Sequence, residues 1–205
     1  MAETHNYTII SLRQVSAKNT VEEENLGLSS GRTYLPNQPE IPFELGWKTT
    51  IPRYHHSDLS KIININEINI SQVHAVHMLL QGGWIVRTYQ NKSIGKIILS
   101  FSEGEVIETT LTAGENIRDW SLDKPDAIQT KTSEMLQEVW VGQVENSRER
   151  GRIDMLTVDI PGSYQATKLI NIQINADVVE QYWDIEPPCI HLLAITAACT
   201  SKQCD

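Results

Sequence analysis

Three aromatic clusters carry the residue types a sugar site would need. Trp84 precedes Arg87 and Tyr89; Trp120 follows Arg118 and Asp119; Trp183 sits with Tyr182, Asp184 and Glu186. A flat aromatic face suits the C–H side of a sugar ring, and guanidinium and carboxylate groups suit its hydroxyls. The competing use of each tryptophan is to plug the open end of a core, since Trp is usually well buried. A second chemistry is available to the acidic stretch from Asp177 to Glu186. Asp177, Asp184 and Glu186 supply the hard oxygen ligands that Ca²⁺ prefers, although no alternate-position ligand pattern organises them, and a solvated acidic loop is the plainer use. His74 and His77 are three apart, so in an extended chain they lie on opposite faces and do not make a shared metal site. The pair His55-His56 reads as solvated loop.

The sequence has no H-E-x-x-H and no glycine-rich phosphate loop. Paired loop carboxylates could still run a hydrolysis, but 26 acidic residues would place such pairs in any fold. A non-enzymatic role is therefore the first expectation and a hydrolase the third.

The elements that position these residues are strands. In the stretch from Gly95 to Trp120, Ile97, Leu99 and Phe101 alternate with Lys96, Ile98 and Ser100, which turns one face of a strand into a core. Glu103-Gly104 supplies a turn, and Val106 to Thr112, rich in β-branched residues, restarts an extended run. The spacing predicts further strands at 6–12, 41–47, 62–70, 73–80, 136–142, 153–160, 166–175 and 190–198, with polar loops at 16–40 and 121–134 and a charged turn at 146–152. Asn64, Asn66 and Asn69 between isoleucines imply one wet sheet face. Short strands separated by turn signals, with no βαβ rhythm, indicate an all-β antiparallel sandwich or barrel. The expected division is an N-terminal strand and long loop over 1–40, wrapping an edge or leading in, followed by a sandwich domain over 41–205, the whole forming one domain.

In this order the segments resemble the galactose-binding-like β-sandwich modules, in the subgroup attached to glycoside hydrolases and other bacterial multidomain proteins. The resemblance rests on Gly95, Ile97, Leu99 and Phe101, the turn Glu103-Gly104, the loop Gly114-Glu115-Asn116-Ile117-Arg118-Asp119-Trp120, the strand Ile41-Pro42-Phe43, the strand 73–80, Trp140-Val141-Gly142 and the closing strand 192–197. Glu103 stands where that group usually has aspartate. The resemblance implies a jelly-roll sandwich, and together with the clustering of aromatic, Arg and Asp residues it points to carbohydrate binding through loops at one end, with Trp84, Arg87, Tyr89, Arg118, Asp119 and Trp120 as the ligand-binding set. It also implies a structural calcium as an option, with no other cofactor. A protein-interaction or scaffold module, binding another domain or a second copy of itself, is the alternative.

Charge narrows the partners. Seventeen basic against 26 acidic residues give a net charge of −9 and a pI near 5.1, which argues against nucleic acid. No stretch reaches the ~20 apolar residues a membrane-spanning helix needs. The start, MAETHNYTIISLRQ, lacks the basic-then-apolar pattern of a signal peptide, which slightly favours an intracellular setting. The three cysteines, Cys189, Cys199 and Cys204, match neither a disulfide framework nor a zinc pattern.

Overall fold

The computed structural model describes residues 6–15, 28, 30–47, 49–51, 62–144, 148–177 and 186–200. Regular structure among them is extended throughout, apart from two single-turn 3-10 segments at Arg87–Tyr89 and Gly162–Tyr164. Among the described residues no helix is long and apolar enough to cross a membrane.

The central sheet has six strands. Its order is β1 (Asn6–Ile10), β13 (Cys189–Cys199), β7 (Val73–Gly83), β11 (Arg150–Asp159), β10 (Leu136–Gln143), and β4 (Thr49–Ile51) also pairs with β13. A five-stranded sheet packs on it in the order β5 (Ile62–Ile65), β12 (Lys168–Ala176), β8 (Ser93–Phe101), β9 (Val106–Thr112), with β6 (Ile70–Ser71) beside β12. A separate hairpin joins β2 (Gly31–Leu35) to β3 (Gln38–Leu45). Every pairing between these strands is antiparallel.

Period-2 alternation builds the core between the two sheets. Ile97, Leu99 and Phe101 of β8 and Ile172 and Ile174 of β12 meet Val76, Met78 and Leu80 of β7 and Leu192, Ile195 and Ala197 of β13. The turn between β8 and β9 falls where the sequence places it, and Gly104 takes the left-handed φ of +95° that the reversal demands. The opposite face of the central sheet is covered as well. Leu79, Ile153, Met155 and Leu193 pack with Leu35, Ile41, Phe43 and Leu45 of the β2–β3 hairpin in a second core. Strands buried on both faces lose the alternation and read as continuous apolar runs. That is why all eleven residues of β13 are buried. Its buried hydroxyl, Thr196, donates to the Pro42 carbonyl at 2.5 Å and ties the hairpin down.

The hairpin departs from the expectation of a loop over residues 16–40. In β2 only Leu35 is buried, so the strand shows almost no hydrophobic period. Pro39 and Pro42 in β3 also argue against a central strand, and the hairpin accommodates them because it pairs on its own, outside both sheets. The N-terminal strand β1 pairs along its length with β13, from Asn6 opposite Cys199 to Ile10 opposite Ile195.

Candidate functional site

One end of the sandwich is closed by a knot of two segments, 81–90 after β7 and 113–129 after β9. Gly82 N–H donates to the Arg118 carbonyl (3.1 Å), Trp120 N–H to the Gly82 carbonyl (2.8 Å) and Ile128 N–H to the Ile85 carbonyl (2.8 Å). A side chain on Gly82 would meet Ile85 Cδ1 at 2.1 Å and the Arg118 carbonyl at 2.7 Å, so the two segments approach this closely only over glycine. Asn116 pins the turn below, accepting from Thr112 N–H and donating to the Thr110 carbonyl, both at 2.7 Å.

Asp119 is the latch of the knot. Its carboxylate is fully enclosed and accepts from Ile85 N–H (2.8 Å) and Ser121 N–H (2.9 Å). Burial, the largest cause, pushes this carboxyl above its ordinary 3.8, against the pull of the Ser121 and Ile85 N–H donors and of Lys124 and Arg152. A folded-state value above the unfolded one means that protonation favours the native state. That contribution is complete below about 3.8 and is lost as pH rises through the raised value. The stability of the wild type relative to Asp119→Asn should therefore fall as urea melts are run from about pH 3 to about pH 7. A relative stability that rises with pH would contradict this.

Beside the latch lies a buried ionic cluster. Arg118 grips Asp154 with two bonds, Nε to Oδ2 at 2.8 Å and Nη2 to Oδ1 at 2.7 Å. It also donates to Glu138 Oε2 at 3.0 Å and to the Gln129 carbonyl at 2.8 Å. Burial opposes the Arg118 charge, but the bonds and charges of Asp154 and Glu138 outweigh it and hold the guanidinium above its ordinary value. Arg152, 3% exposed, is less well served. Its closest carboxylate is Glu138 at 3.5 Å, and burial followed by the neighbouring Arg118 charge pushes it below its ordinary value. Arg152 Nε and Ser121 Oγ are buried without a hydrogen-bond partner among the described residues.

The six residues expected to bind a ligand thus share one end of the fold but not one surface. Arg87 is exposed and Trp84 partly exposed, with the Lys124 ammonium 3.5 Å from the indole centroid. Tyr89 is fully buried in the main core. Arg118 and Asp119 point inward to the partners above. Trp120 packs against Gly151 and the second core, as a plug does, and Trp140 packs against the same core. Of the calcium candidates, Asp177 accepts from the Ser93 hydroxyl and Glu186 is exposed, while Asp184 lies outside the described residues, as do Tyr182, Trp183 and His55-His56. No group of three or more metal-type ligands occurs among the described residues. His77 is buried against Thr157, with Nδ1 3.0 Å from Oγ1, and His74 is half-buried on the other face.

A second polar surface covers the outside of the five-stranded sheet. Asn171, Gln173 and Asn175 of β12 stand opposite Ser100, Ile98 and Lys96 of β8, and Gln173 stands opposite Asn64 of β5. The Asn171 amide donates to Asn64 Oδ1 (2.7 Å) and Asn66 Oδ1 (2.9 Å), and Gln173 donates to Asn175 Oδ1 (2.7 Å). Lys96 and Glu108 close the array with an ion pair at 3.2 Å. The asparagine alternation marked this face as wet; the pairing of β5 with β12 makes it a continuous amide plane.

No protein-family model, curated protein or solved structure matches the chain.

Proposed function

We propose that the chain is a non-catalytic binding module of the galactose-binding-like, jelly-roll kind, and that its ligand is a carbohydrate. The strand nesting supports the jelly roll: β7 neighbours β13 in one sheet, while β8 neighbours β12 in the other. The observation that carries the ligand class is the amide plane. A sugar hydroxyl both donates and accepts, and a carboxamide offers both functions in one plane. Asn64, Asn171, Gln173 and Asn175 present four such groups across β5 and β12, and Ile98, opposite Gln173 on β8, is partly exposed and suits the apolar face of a sugar ring. Trp84 and Arg87 add a smaller contact at the tip.

A glycan array followed by calorimetry tests the reading. The Asn171→Ala/Gln173→Ala double variant should bind its best glycan about tenfold or more weakly, the equivalent of one to two hydrogen bonds. A loss confined to Trp84→Ala would move the site to the tip. Failure of the folded protein to bind any glycan would overturn the proposal.

A protein-interaction module is the second reading. It is favoured by Val106 and Val141, 47% and 48% exposed on the outermost strands β9 and β10. An open strand edge flanked by apolar side chains invites pairing with another chain. Light scattering that shows a stable oligomer, lost on Val106→Lys or Val141→Lys, would support it.

A further inference from the structure

Away from both surfaces, β13 begins with a thiol and an imidazole on one face. Cys189 and His191 are two residues apart, and their side chains meet with Sγ 3.2 Å from Nε2. The other ring nitrogen, Nδ1, lies 2.8 Å from the hydroxyl of Thr50, which stands directly opposite His191 on β4. Opposite Cys189 is Gly83, where a Cβ would come within 2.5 Å of the sulfur and 3.1 Å of Nε2. At this position, where a side chain would crowd the pair, the chain carries none. Cys189 is 5% and His191 8% exposed, in contrast to Cys199 on the same strand, which is fully enclosed in the apolar core.

We propose that Cys189 is a reactive thiol that hydroperoxides oxidise to a sulfenic acid, with His191 taking its proton and Thr50 positioning the ring. When Nδ1–H donates to Thr50 Oγ1, Nε2 turns its lone pair to the thiol and accepts its proton. The thiolate attacks the hydroxyl oxygen of ROOH. The S–O bond forms as the O–O bond breaks, and the departing alkoxide takes the proton back from the imidazolium. Cys–SH and ROOH become Cys–SOH and ROH, the sulfur losing two electrons and the peroxide gaining them. Cys189 is only 5% exposed, so hydrogen peroxide, the smallest hydroperoxide, is the probe.

The test uses the full chain carrying Cys204→Ser. After limiting hydrogen peroxide, the protein is quenched in denaturant containing a 1,3-diketone trap, and labelled peptides are quantified by mass spectrometry. Cys189 should be trapped about tenfold faster than Cys199, and His191→Asn should slow Cys189 about tenfold while leaving Cys199 unchanged. Thr50→Val should slow it in part, with Thr50→Ser restoring the wild-type rate. Equal rates at Cys189 and Cys199 in the folded wild type would overturn the proposal, as would an unchanged Cys189 rate in folded His191→Asn. If His191→Asn does not fold, the threonine pair decides: equal rates in Thr50→Val and Thr50→Ser overturn it.

Discussion

Replacing Arg118 with alanine should lower folding stability by about 3–5 kcal/mol, the usual cost of removing one partner from a buried ion pair. Asp154 is 4% exposed, and both its oxygens are held by Arg118. Without the guanidinium, that carboxylate would stay in the interior with the partner that holds both its oxygens gone. The Gln129 carbonyl would lose its nearest donor, leaving only the 3.4 Å contact from Arg152. The exposed pair Lys96–Glu108 provides the comparison: Lys96→Ala should cost only about 0.2–1 kcal/mol, because water screens it. Urea melts of the two variants measure the contrast. A loss below about 1 kcal/mol in Arg118→Ala would mean that solvent reaches Asp154 readily. Removing both charges, as Arg118→Met/Asp154→Leu, should recover most of the loss, because the penalty comes from the orphaned charge.

Phe43→Ala should cost about 3–5 kcal/mol, as much as Phe101→Ala in the main core. Phe43 is fully buried in the second core, which also holds Leu79, Val139, Ile153, Met155 and Leu193. Truncation removes the largest fully buried side chain of that core and leaves a cavity between the hairpin and the central sheet. The size of the loss reports whether the hairpin is part of the cooperative unit. A hairpin resting loosely on the sheet would lose less than about 1 kcal/mol, and the melt would separate into two transitions. A single transition at lower urea, with an unchanged slope, is the expected result.

The sequence announced what depends on neighbours two positions away. Ile97, Leu99 and Phe101 were readable as core because alternation is local, and Glu103-Gly104 was readable as a turn for the same reason. The β2 strand was not, since only Leu35 carries a burial signal and two prolines follow in β3. The tip Arg118-Asp119-Trp120 stood out by composition, yet a run of such residues reads alike whether it faces solvent or interior. Its orientation depends on Asp154, 36 positions later in the chain. The amide plane shows the same limit. The asparagines of 62–70 declared a wet face, but Asn64 and Asn171 are 107 positions apart, and only the pairing of β5 with β12 joins them on one surface. Cys189 and His191 were visibly two apart, whereas Thr50 lies 141 positions from His191.

The placement of β13 governs how the molecule can be made. Among the described residues it is the last of thirteen strands in chain order, and it lies inside the central sheet, between β1 and β7. During synthesis β1 emerges without the partner it will pair with, and β7 presents one bare edge, until residue 199 has cleared the ribosome. Both cores stay open for that whole interval, because each contains residues of β13. Contacts this far apart in sequence make folding slow and leave apolar strand edges uncovered meanwhile. The native topology therefore assigns the chain a period of exposure that sets in with its first strand and closes only with its last.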